Sequence, residues 1–197
     1  MLIHFEYTHL LALLFILVIT LAIVWMKTKS PAYLFFCALF GVYLIGAISV
    51  TVFPFFIGEA NQDFLRNLNL VPFDFGSCLQ GMPGYCVETV FKNILLTVPF
   101  GLLVPFIFRI KPKHAVSAIL AIGCCFEFTQ LIMAFILRNS FRAVDINDVI
   151  FNSIGVFIGY LLFKLFARLY KSAIQKYQLR PKNIFAYIQQ TITDHLN

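Results

Sequence analysis

Five stretches of the chain stay apolar for about the 20 residues that a helix rising 1.5 Å per residue needs to cross a bilayer. They cover 9–26, 32–56, 89–108, 114–137 and 148–169. Runs of this kind carry too little polar periodicity to separate helix from strand, but their length does so, because lipid accepts only helices or closed barrels. The expected fold is an all-α polytopic bundle of about five spans. Residues 1–170 form the transmembrane domain and 171–197 a basic amphipathic tail. Between the second and third spans lies a long connection, 57–88, rich in turn formers yet also in Phe, Leu and Val. Such a loop would fold back onto the membrane surface or dip into the outer leaflet.

Composition agrees with this pattern. Of 197 residues, 60% are hydrophobic and 12% charged, against roughly 25% charged in soluble domains. Little chain remains for a separate soluble module. The first apolar run follows an acidic end and lacks a small-x-small cleavage pattern, so it reads as a retained helix rather than a signal peptide. A net charge of +6 would suggest nucleic acid in a soluble protein. Here eleven of the fifteen Lys and Arg residues fall in the first and third connections and around the C-terminus. That asymmetry predicts an N-terminus outside, a C-terminus in the cytoplasm and a multi-pass protein of the plasma membrane, with no nucleic-acid partner. Neither an internal repeat nor the paired broken helices of secondary transporters is visible.

The polar residues that remain inside the spans are informative because each is expensive in hydrocarbon. Asp145, Asp148, Asn152, Gly155 and Gly159 recur at +3, +4, +3, +4, one narrow face of the fifth helix if that helix begins a turn early. Glu127 sits in the fourth span with Gln130 three residues on. Asn93 lies one turn inside the third span, ahead of Pro99, which leaves the carbonyl of Leu95 in need of a donor. With Arg142, these residues suggest a polar cleft open to the outer face. They would also serve as interhelical hydrogen bonds, and the glycines as close-packing positions.

Other chemistry is sparse. His4, His9, His114 and His195 stand near segment ends without a metal-binding or nucleophilic pattern. Cys37, Cys124 and Cys125 lie within spans and read as small apolar residues. Cys78 and Cys86 bracket "CLQGMPGYC" and form a disulfide if the loop meets an oxidising compartment.

"NLVPF" at 69–73, "NILLTVPFG" at 93–101, "FEFTQ" at 126–130 and "RAVDINDVIFNSIGVFIGY" at 142–160 resemble, in order, the signatures of the VanZ-like membrane proteins, over about 69–160. The resemblance implies a small polytopic protein that lowers susceptibility to teicoplanin and related lipoglycopeptide antibiotics. No catalytic residues come with it. The polar positions that match are Asn69, Asn93, Glu127, Gln130, Arg142, Asp145, Asp148 and Asn152. Thr97 and Val156 depart from the pattern, and Val156, standing where a second glycine is frequent, casts doubt on close helix packing there.

Two kinds of chemistry suit such a cleft. In one, it binds the headgroup of an amphipathic molecule, an envelope lipid or the drug, with Arg142 on a phosphate or carboxylate and the acids on amines or hydroxyls. In the other, a membrane enzyme modifies a lipid-linked envelope precursor or glycerophosphate polymer, with Asp145 and Asp148 holding Mg²⁺ and Glu127 as base.

Overall fold

The computed structural model describes residues 2–56, 69–75, 81–108, 114–137 and 145–196. They form six helices: α1 (Tyr7–Thr28), α2 (Pro31–Thr51), α3 (Pro83–Leu103), α4 (Ala115–Leu137), α5 (Ile146–Tyr177) and α6 (Ile184–Leu196). A 3₁₀ turn, Val104–Phe106, extends α3. Two residues at the start, β1 (Leu2–Ile3), pair antiparallel with β2 (Phe55–Phe56).

α1, α2, α3 and α5 are each long and apolar enough to cross a membrane, and α4, of 23 residues, carries the apolar stretch 117–133. Large apolar side chains such as Phe15, Val18, Phe35, Phe91, Phe135 and Leu161 are exposed on the bare chain, as helices bathed in lipid require. α1 buries no residue; it rests on α2, where a Cβ on Gly41 would strike Leu17.

Helix limits follow local chemistry. Ser30 accepts the amide of Tyr33 and Pro31 occupies the first turn, which starts α2 after the left-handed Lys29. α2 ends at Thr51, short of the expected 56, because Pro54 disfavours helix at the residue before it. α3 runs through Pro99. The outside donor there is Tyr43, whose hydroxyl donates to the Leu96 carbonyl at 2.8 Å, one residue on from the carbonyl singled out in the sequence. α5 is the longest helix, about 48 Å against a hydrocarbon core of about 30 Å.

α5 is the axis of the bundle. α3 and α4 both pack along it. The contact with α3 is made by glycines: a Cβ on Gly155 would collide with the Thr97 hydroxyl and the Ile94 carbonyl, one on Gly159 with the Val98 carbonyl, and one on Gly101 with the carbonyl of Val156. Val156 is itself buried at 2% exposure and its carbonyl still meets Gly101, so a valine where a glycine is frequent does not prevent the close approach. Gly123 makes the corresponding approach of α4 to Ser153 and Val149.

At the end remote from Asp145, α6 folds back on the bundle. The last carbonyls of a helix lack intrahelical donors. Here Tyr187 donates to the Phe106 carbonyl at 2.5 Å and His195 Nε2 lies 3.1 Å from that of Pro105. Beneath them Phe36 stacks on Phe106 with centroids 4.3 Å apart, and Phe163 meets Phe106 edge-on. His195, at 2% exposure, is thus part of the packed core.

Gly155→Val or Gly159→Val is expected to lower stability in detergent by about 1–3 kcal/mol, the cost of forcing bulk into a filled seam. Gly46→Ala, where a Cβ would meet nothing within 4 Å, should leave the thermal midpoint unchanged.

Candidate functional site

The site is built on the N-terminus of α5. Asp145 is the N-cap residue: its Oδ1 accepts the amide of Asn147 at 2.8 Å, so α5 begins at Ile146, two residues before the expected 148. The spacing therefore places Asp148, Asn152, Gly155 and Gly159 on the helix, while Asp145 stands just outside it. Glu127 of α4 reaches the same end, its Oε2 3.4 Å from the amide of Asp145. Three carboxylates thus surround one helix N-terminus, where unsatisfied amides and the helix dipole favour negative charge. Glu127 is only 4% exposed.

A short segment, 69–75, is tied across this end. The Asn69 carbonyl accepts the amide of Ile146 at 2.9 Å. Its Nδ2 donates to Asp145 Oδ1 at 3.1 Å and to the Asp74 carbonyl at 2.7 Å. Asn147 completes the clamp: Oδ1 accepts the Phe73 amide at 2.6 Å and Nδ2 donates to the Asp74 carbonyl at 2.8 Å. Phe73 has the positive φ of 63° that the left-handed region demands, and its amide is satisfied by that bond.

Lower on α5 the partners come from α3. Asn93 Nδ2 donates to Asp148 Oδ1 at 2.5 Å. One turn further in, the Thr97 hydroxyl donates to the Asn152 carbonyl at 2.8 Å. Asn152 is 3% exposed and its Oδ1 has no hydrogen-bond partner among the described residues. Beside Glu127, where α4 meets α5, a groove of about 280 Å³ is lined by Cys124, Cys125, Phe128, Leu131 and Val149. A polar cluster and an apolar channel therefore share one residue.

Of the residues singled out in the sequence, Asn69, Asn93, Glu127, Asp145, Asp148 and Asn152 converge. Gln130 is half-buried on α4 and hydrogen-bonds to none of them. Arg142 lies outside the described residues. So does Cys78; Cys86 is buried and disulfide-bonded. Asp145 and Asp148, candidates for a metal, both spend an oxygen on amides. No three His, Cys, Asp or Glu side chains among the described residues are grouped to hold an ion.

Asn147 was not singled out. Periodicity selects residues facing α3, and Asn147 sits off that stripe; its signal was an amide in the first helical turn behind an Asp N-cap.

A family model described as VanZ/LLP1 matches residues 40–167, which spans α3, α4, most of α5 and every residue of the cluster. The chain belongs to the VanZ/LLP1 family. It is 34% identical over 103 residues to Protein VanZ of Enterococcus faecium, a match covering 51% of this chain and 54% of that protein. The chain thus spans about half the length of that curated relative. No solved structure matches it. Within this VanZ/LLP1 chain the matched region contains both the glycine seam and the polar end it organises.

Asn147→Ala should cost about 1–3 kcal/mol, since it removes the acceptor of the Phe73 amide and one of the two donors to the Asp74 carbonyl, each such bond contributing about 0.5–1.5 kcal/mol net. It should also release the Phe73 amide, read as faster hydrogen exchange at Phe73 with the α3 and α5 amides still protected.

Proposed function

We propose that this chain is a multi-pass plasma-membrane protein, N-terminus outside and C-terminus cytoplasmic. It lowers susceptibility to teicoplanin-type lipoglycopeptides by holding an amphipathic molecule, an envelope lipid or the drug itself, at the outer end of α5. The observation that carries this reading is the meeting of a polar cluster with an apolar groove at Glu127. An amphiphile needs both: hydrogen-bonding groups for its head and a lipid-facing channel for its chain.

The surrounding chemistry supports a binder. Asn69, Asn93 and Asn147 hold the backbone and carboxylates in place, which is preorganisation of a recognition surface. The Lys and Arg distribution supports the orientation; in that orientation the cluster faces the outer leaflet, where envelope lipids and an extracellular drug are met. Arg142, three residues before the cap of α5 in the sequence, supplies the cation for a phosphate or carboxylate.

Expression in a susceptible Gram-positive host is expected to raise the minimal inhibitory concentration of teicoplanin. Asp148→Asn and Arg142→Ala should each return it to the level of the host alone, with membrane abundance unchanged by immunoblot. Loss of protein in proportion to loss of protection would assign these side chains to folding instead.

A further inference from the structure

We infer that the turn at 70–73 is seated in lipid, its apolar side chains inserted into the leaflet at the Asp145 end of the bundle. The amide of Asp74 donates to the Val71 carbonyl at 3.3 Å, which closes a β-turn with Pro72 second and Phe73 third. Proline suits the second position of such a turn, but a third residue with positive φ is ordinarily glycine or asparagine. Phe73 stands there with φ 63°. A bulky residue keeps that conformation only where its surroundings hold it. Asn147, 2% exposed, supplies the hold through its bonds to the Phe73 amide and the Asp74 carbonyl.

The strained residue is not packed. Phe73 is 68% exposed, and Leu70 and Val71 are 69% and 59% exposed. Phe75, by contrast, turns back to the bundle, its ring centroid 6.3 Å from that of Phe151. Three apolar side chains thus leave the bundle on a base tied to the first turn of a membrane-length helix. That base sets their level. Between Asp148 and Lys164 α5 carries no charge, so its start lies where the span meets the membrane surface and its surplus length lies at the other end.

Lipid fits this surface better than a protein or a water-borne ligand does. Water penalises exposed apolar side chains. Lipid instead penalises backbone groups without partners, and the turn has already spent its donors. The Val71 amide goes to Asn69 Oδ1 at 3.2 Å, that of Phe73 to Asn147 and that of Asp74 to Val71, while Pro72 has none. A docking strand would find no free amide from Val71 to Asp74. Asp74, the one charge in 69–75, follows Phe73 at once, so insertion stops at the headgroup–acyl boundary, about 5–10 Å in.

The test places a fluorescent reporter on the tip of the full-length chain in phosphatidylcholine vesicles. Trp25 is the protein's one tryptophan, so Phe73→Trp in a Trp25→Phe background reports from a single position. Leu70→Trp in the same background reports without touching the strained residue, and it carries the test if the first variant fails to fold. Each reporter should emit to the blue of tryptophan in water. Each should lose most of its fluorescence when the vesicle lipids are brominated, and little to iodide supplied on both sides of the membrane. Bromines near the headgroup end of the acyl chains should quench more than bromines near the terminal methyl.

Iodide quenching as strong as that of free tryptophan would put the tip in water and overturn the inference. Blue-shifted emission that neither iodide nor brominated lipid quenches would overturn it by revealing a protein cover, a second copy or another part of this chain. Stronger quenching by the methyl-end bromines would overturn it as well, placing the turn in the middle of the bilayer.

Discussion

Everything at the polar end depends on how closely α3 and α5 approach. In lipid there is no hydrophobic force to push helices together, so association rests on van der Waals packing and interhelical hydrogen bonds. Gly101, Gly155 and Gly159 let backbone meet backbone. Only at that separation can the short side chains of Asn93 and Thr97 reach Asp148 and the Asn152 carbonyl. Those bonds in turn satisfy groups that lipid would penalise. Packing and polarity are one device here: larger residues in the seam would separate the helices and strand the polar pairs together.

The gathering of charge where α5 begins follows from the same economy. A helix end entering a membrane exposes amides that need acceptors. Asp145 serves as N-cap, Glu127 lies close to the amide of Asp145, and the Asn69 carbonyl takes the amide of Ile146. Structural duty accounts for Asp145 and for most of what Asn69 and Asn147 do. Asp148 is still in the first turn, where a helix N-terminus favours a carboxylate, and Asn93 holds its Oδ1; Asn152 lies a turn deeper, along the side of the helix, where capping explains nothing.

The spans and the stripe on α5 were legible because both are local: length reveals a transmembrane helix, and +3/+4 spacing reveals a face. The glycines could be read as packing positions on the same basis. The fifth span was read from 148, with Asp145 on its stripe only if the helix began a turn earlier; it begins at Ile146, and since Asp145 fits the stripe equally well as a helical residue or a cap, only its bond to the Asn147 amide decides between them. Asn147 and the 69–75 clamp were hidden for a different reason. Their partners lie more than 70 residues away, and no periodicity encodes that distance. His195 is the same kind of case. As sequence it is a histidine near a chain end; its place beside Pro105 and Phe163 depends on α6 folding back.

The two ends of the bundle are secured by opposite means, and that contrast bears on where chemistry can occur. At the far end, Tyr187 and His195 take carbonyls left over where α3 stops, above stacked Phe36 and Phe106. Aromatic burial and hydrogen bonds reinforce each other, and the result is a plug. At the Asp145 end the ties are amide to carbonyl, each worth about 0.5–1.5 kcal/mol net, or amide to carboxylate, about 1.5–3, and the ring contact there among the described residues is the looser pair Phe75 and Phe151, centroids 6.3 Å apart. A ligand offering equivalent bonds can replace such ties at little cost, whereas displacing the plug would expose a packed core. Recognition therefore belongs at the polar end, with the rigid far end holding α3 and α5 in register while partners there exchange.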